Sequence, residues 1–187
     1  MFKGLFVAFV CLVSTSLLAS QSDNPDIREV LVFGTKEQKE KLPGSGTHIG
    51  PTQLAKQDYS DLNEILSSAP GVYVREEDAF GLRPNIGIRG ATSDRSQKIT
   101  LMEDGVLITP APYSAPAAYY ITNPSRLYSV EVLKGPSAIQ AGPHTVGGAV
   151  NLITRPVPTQ NINEVELTTG TDSFHKVVGS VGRVHDN

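Results

Sequence analysis

The stretch KGPSAIQAGPHTVGGAVNLITRP, residues 134–156, constrains this chain more than any other. Gly135, Gly142, Gly147 and Gly148 stand between an apolar run that ends at Leu133 and another that starts at Ala149. Inside a regular element each glycine costs about 0.5–1 kcal/mol relative to alanine, so four of them between two good strands mark turns and close backbone contacts. Gly135 and Gly142 are expected to bound one turn. With 17 glycines, 13 prolines, no tryptophan and 6% aromatic residues, the chain points to β-rich or mixed structure rather than a helical bundle. Its 187 residues, 39% of them hydrophobic, can bury one ordinary-sized core with appendages.

Residues 1–20, MFKGLFVAFVCLVSTSLLAS, combine a basic Lys3, an apolar core from Leu5 to Val13 and small residues at Ala19 and Ser20, the pattern of a secretory signal peptide. The apolar run is well short of the ~20 residues that a spanning helix needs. Cys11, the one cysteine, lies inside this leader behind Phe9 and Val10. Neither a lipid-attachment site nor a disulfide is therefore expected in the exported chain. The formal net charge of −3 becomes one unit more acidic once Lys3 is removed, and such a chain has no basic footprint for nucleic acid.

The exported chain opens with a polar segment, residues 21–47, broken by one apolar run from Val30 to Phe33. So short a run cannot bury itself. It is either the first strand of the domain or a docking strand that adds to the sheet edge of another protein. The charged KEQKEKLPGSG that follows behaves as a flexible tether, which favours docking. A compact domain is expected over residues 48–160. Pro51 suits the first turn of a short helix holding Leu54. Asp61 and Glu64 form a D-x-x-E capping pattern ahead of Leu62, Ile65, Leu66 and Ala69 at helical spacing. Pro70 and Gly71 stop that helix, Val72 to Val74 start a strand, and IGIRG, KITLMEDGVLIT and RLYSVEVLKG read as further strands. The expected fold class is α/β (α+β), a small mixed β-sheet with short helices.

Residues 161–187 change character. EVELTTG and FHKVVGSVGRVH are strand candidates of roughly 7 to 12 residues around a tight turn, about the length that crosses a membrane in a barrel. Val165, Leu167 and Thr169 share one face, and Glu164, Glu166 and Thr168 the other. Gly179 and Gly182 interrupt the second alternation, so a soluble hairpin fits the pattern as well as a barrel hairpin does. One hairpin closes no barrel. Catalytic chemistry finds no support: His48, His144, His175 and His185 lack a second ligand at zinc spacing. GPHTVGG lacks the Lys-Ser/Thr of a phosphate loop, and Ser114 and Ser137 have no nucleophile-elbow context. Neither an enzyme nor a resident cofactor or metal is expected.

In chain order, REVLVFG, LNEILSSAPGVYV, IGIRG, LMEDGVLI, VEVLKGPSAIQAG and VGGAVNLIT resemble the plug domain of TonB-dependent outer-membrane receptors over about residues 28–160. The last two motifs are the strongest signature of that family. Within it, REEDAFGLRPNIGIRGATSDRSQKITLMEDGVLITPAPYSAPAAYY is most similar to receptors of the ferric dicitrate type.

The resemblance implies a plug inserted from the periplasmic side into a barrel of about 22 strands, with residues 161–187 as its first hairpin and the outer membrane as its location. It implies a partner, the inner-membrane TonB complex, pulling on a box formed by Glu29, Val30, Leu31, Val32 and Phe33. The box follows the leader so closely that no N-terminal signalling domain is expected. A ferric siderophore or ferric citrate would be the transported ligand, touching loops around Asp78, Phe80 and Arg83 and around Tyr113 and Ser114. Arg83 is the sensible anion contact, because a guanidinium can hold a carboxylate in a fork, whereas Asp78 would repel one. Arg89 and Lys134 match plug cations that pair with glutamates on the inner barrel wall; the alternative for both is an exposed basic side chain at a strand end. Gly147 and Gly148 would let the backbone pass close to that wall. Two other functions stay open: a free-standing periplasmic binding domain with the same fold, and a receptor of this family for cobalamin or another metal chelate.

Overall fold

The computed structural model describes residues 44–77, 83–109, 121–142 and 145–185. Ser45–Ile49 forms β1 and Pro51–Gln57 forms α1, with Pro51 in the first turn, where its missing N–H is no loss. Leu62–Ser67 forms α2, capped by Asp61, whose carboxylate accepts from the backbone N–H of Asn63 at 2.8 Å. Gly71, at φ 77°, turns the chain into β2, Val72–Arg75, which pairs antiparallel with β3, Asn85–Ile88. KITLMEDGVLIT folds as a hairpin, β4 (Ile99–Glu103) and β5 (Val106–Thr109). Its turn residues Asp104 and Gly105 have φ of 49° and 77°, as a two-residue turn matched to strand twist requires. Leu127–Lys134 forms β6 and Gly148–Thr154 forms β7. Between them Pro136–Ala141 is one 3-10 stretch, bounded by Gly135 and Gly142 at φ 92° and 104°.

The sheet runs β1-β6-β7-β4-β5, and only β4 and β7 are parallel. It starts at Ser45, inside the segment read from sequence as linker, because Ser45–Ile49 can use the open edge of β6 although only Ile49 of the five is buried. One face of the sheet carries the main core. There α2 and the β2–β3 hairpin, through Leu62, Ile65, Leu66, Ile86 and Ile88, pack on Ile99, Leu101, Val130, Val132, Val150 and Leu152. Burying each such side chain contributes about 1.5–3 kcal/mol. On the other face Met102, Leu133 and Ala149 pack under Ala138 of the 3-10 stretch.

The paired glycines act inside this core. A Cβ on Gly148, where φ is 150°, would stand 2.4 Å from the Leu133 carbonyl oxygen and 2.9 Å from Ile88 Cδ1. One on Gly147 would meet Ala91 and the Lys98 carbonyl at 3.1 Å. Among the described residues, the close approach these glycines allow is to the domain's own chain, at β3, β6 and the turns beside β3 and β4.

Ile162–Thr169 and His175–Gly182 form β8 and β9, an antiparallel hairpin separate from the sheet. Val165, Leu167, Val177 and Val181 line one face, each at least 70% exposed. Gly179 stands opposite Val165 in that face, so the glycine that blurs the pattern in sequence leaves only a gap. Glu164, Glu166, Thr168 and Lys176 lie on the opposite face, giving an apolar side turned outward and a polar side turned inward.

Candidate functional site

Arg89 and Lys134 are brought together at one end of the sheet. Arg89 follows β3 in a left-handed conformation, φ 52°, with its N–H donating to the Gly71 carbonyl at 2.9 Å. The same turn is pinned by the Tyr73 hydroxyl, which donates to the Ala91 carbonyl. The Arg89 guanidinium lies over Gly135, where Nη1 is 2.9 Å from the position a Cβ would take, and Nη2 donates to Ser45 Oγ at 2.8 Å. Lys134, the last residue of β6, is buried at 5% exposure. Its Nζ donates to Thr47 Oγ1 at 2.8 Å and to the Pro70 carbonyl at 2.7 Å.

The expected alternative of an exposed basic side chain therefore fails for Lys134, because its ammonium is drawn into neutral acceptors of β1 and of the chain after α2. Burial first, then the Arg89 charge, holds its pKa below the usual lysine range. Neither cation has a carboxylate ion-pair partner among the described residues. Two positive groups side by side, one of them desolvated, form a site suited to an acidic partner.

At the opposite end of β3 is the base of the loop between β2 and β3. Asp78 and Phe80 of that loop, Tyr113 and Ser114, and Glu29, Val30, Leu31, Val32 and Phe33 lie outside the described residues. Arg83 is exposed where the chain returns to β3. Sequence reasoning missed the groups that organise this region. Asn85 Nδ2 donates to Glu77 at 3.2 Å, and Asn85 Oδ1 accepts from the Arg95 N–H at 2.7 Å. The Arg95 guanidinium meets Glu77 at 3.4 Å. Ser96 Oγ donates to the Pro84 carbonyl at 2.6 Å and accepts from the Ile86 N–H at 3.0 Å. These bonds hold Arg95 and Ser96 at φ 51° and 55°, conformations that side-chain-bearing residues reach only with local support. A second guanidinium is thereby fixed beside the loop that carries Arg83.

A family model described as TonB-dependent Receptor Plug Domain matches residues 38–149. The vitamin B12 transporter BtuB of Photobacterium profundum is 26% identical over 181 residues, covering 94% of this chain and 28% of that protein. The ferrichrome outer membrane transporter/phage receptor of Escherichia coli is 28% identical over 144 residues, covering 75% of this chain and 18% of that protein. Among solved structures, the ferric citrate transporter FecA in its unliganded form superposes with a TM-score of 0.66 at 25% identity, over 86% of this chain and 26% of that one. The chain spans between about a fifth and just over a quarter of the length of these relatives.

Proposed function

Because the chain belongs to the TonB-dependent receptor plug domain family, we propose that it is the plug and first wall hairpin of an outer-membrane receptor that imports a ferric chelate with energy from the inner-membrane TonB complex. The relatives are transporters and receptors, not enzymes. In this reading residues 1–20 are the leader, 21–47 the box and tether, 48–160 the plug and 161–187 the first strands of the wall.

The observation that carries the proposal is the Arg89–Lys134 pair. A buried ammonium held only by neutral oxygens, with a guanidinium beside it, is costly for a free-standing domain and reasonable for one that fits against an acidic wall. The hairpin supports the same reading, since an apolar outer face and a polar inner face are what a strand pair between lipid and plug needs. Traction on Glu29 to Phe33 would enter the plug through β1, whose Ser45 and Thr47 hydroxyls hold the two cations.

Ferric citrate is the first choice of cargo. It is supported by the likeness to the ferric citrate transporter and by the exposed guanidinium of Arg83, which suits carboxylate oxygens, with Arg95 held nearby on Glu77. In this reading Asp78, Phe80, Tyr113 and Ser114 are further plug-loop contacts. Cobalamin is the second reading, favoured by the similarity to a vitamin B12 transporter along 94% of the chain. Titration of the full-length receptor with ferric citrate, a ferric hydroxamate and cobalamin decides between them. Ferric citrate is expected to bind, and Arg83→Ala to weaken it by roughly tenfold, the loss of one charge-assisted hydrogen bond. Binding of cobalamin alone would replace the cargo and keep the receptor; binding of none of the three would remove the support for import of a metal chelate.

A further inference from the structure

Asp58 closes α1 as its left-handed C-terminal residue, with a carboxylate where the helix dipole disfavours one. Its backbone is left-handed, φ 45° and ψ 36°, a position usually given to glycine or asparagine. The backbone is one that aspartate tolerates, but the charge is locally misplaced, a conflict that a distant contact can offset.

That contact is with the hairpin. One carboxylate oxygen of Asp58 accepts from Lys176 Nζ, and the other accepts from Thr168 Oγ1 at 3.2 Å. Thr168 and Lys176 are register partners across β8 and β9, so one carboxylate is gripped by both strands. The hydrogen bond from Lys176 holds the Asp58 carboxyl below its usual range, against the opposing effect of burial. No residue of α1 is buried, and a cavity of about 550 Å³ lies between the helix and the hairpin. Half-buried Leu54 packs the helix against the core, and Asp58 spans the gap to the hairpin. Beside it, Arg155 and Glu164 approach to 3.8 Å where the chain passes from β7 to β8.

We propose that Asp58, Lys176 and Thr168 form an anchor that fixes the end of α1 to the first wall hairpin and stays closed while the receptor works. Traction entering through β1 then stops at α1, because only Gly50 separates the two elements. The anchor rests on the receptor reading for its role in transport, but the contact itself can be tested without it.

In the full-length protein, Asp58→Asn keeps a residue that tolerates the left-handed backbone and removes the charge. Amide exchange in residues 51–58 and 164–176 is expected to rise together by about fivefold, as the loss of a half-exposed ion pair implies. The exchanged pair Asp58→Lys/Lys176→Asp is expected to restore protection. Unchanged exchange in Asp58→Asn overturns the anchor. Next, Asp58→Cys/Thr168→Cys is joined by a short reducible bis-methanethiosulfonate linker, and energised uptake of ferric citrate and cobalamin is measured. Uptake should continue with the bridge in place; uptake that stops and returns on reduction shows that the contact must open, and the proposal is wrong. If the wild-type receptor takes up neither these probes nor a ferric hydroxamate, the import reading fails and the exchange measurements alone decide whether the anchor exists.

Discussion

Lys134 shows how a single side chain can be unfavourable for the fold that contains it. Its acceptors, Thr47 Oγ1 and the Pro70 carbonyl, belong to residues that are not buried, so water can replace the ammonium there. Removing the charge then removes more desolvation than hydrogen bonding. Lys134→Met is expected to leave stability at neutral pH unchanged or raise it by up to about 1 kcal/mol in urea unfolding. The wild type carries a pH signature that the variant lacks. With the folded-state pKa depressed, the unfolded chain binds more protons between the folded and unfolded values, so stability rises with pH across that alkaline interval. Unfolding curves at neutral pH and at about pH 10 check the sign. Gly148→Ala acts in the opposite direction: its Cβ would press on the backbone carbonyl of Leu133, and about 2 kcal/mol or more should be lost. Arg89 and Lys134 could be found in the sequence because each stands in a short motif, IRG and KGP. Arg95 and Ser96 could not, because DRS reads as an ordinary polar turn and it is Glu77, Pro84, Asn85 and Ile86, elsewhere in the chain, that hold it in its left-handed shape.

Among the elements, α2 was legible because cap, apolar spacing and the Pro70–Gly71 stop all agree, and its buried face is the one the spacing predicts. The strand β1 was hidden for the opposite reason. SGTHI has one buried apolar residue, and its place in the sheet comes from backbone pairing to β6 and from Ser45 and Thr47 bonding to Arg89 and Lys134. Periodicity cannot report a strand recruited by its backbone. The same logic governs the expected box upstream. Leu31→Pro in the full receptor removes a backbone donor and should prevent strand addition to a partner. Ligand binding at intact cells should be retained and energised uptake lost; equal loss of both would make that segment part of the plug.

For the whole molecule, the hairpin sets the environment. Val165, Leu167, Val177 and Val181 present an apolar face with no partner among the described residues, while Glu166 and Lys176 lie on the inner side. Leu167→Arg should reduce the yield of folded, heat-modifiable receptor in outer membranes, with a cost approaching about 2–4 kcal/mol if the position lies near the bilayer midplane. Glu166→Arg should be tolerated much better. Similar loss from both substitutions would mean that neither face meets lipid.

The strand order carries one more implication, for the sequence of events in folding. β1 has a single neighbour in the sheet, and that neighbour, β6, lies far down the chain. A polypeptide that emerges N-terminus first delivers β1 long before its template exists, and the loop to be closed is among the longest in the domain. The hairpin β4–β5 can form early; β1 must wait for β6. Held in the sheet by that one neighbour, β1 is an edge that can be peeled away without unpairing the strands beyond it.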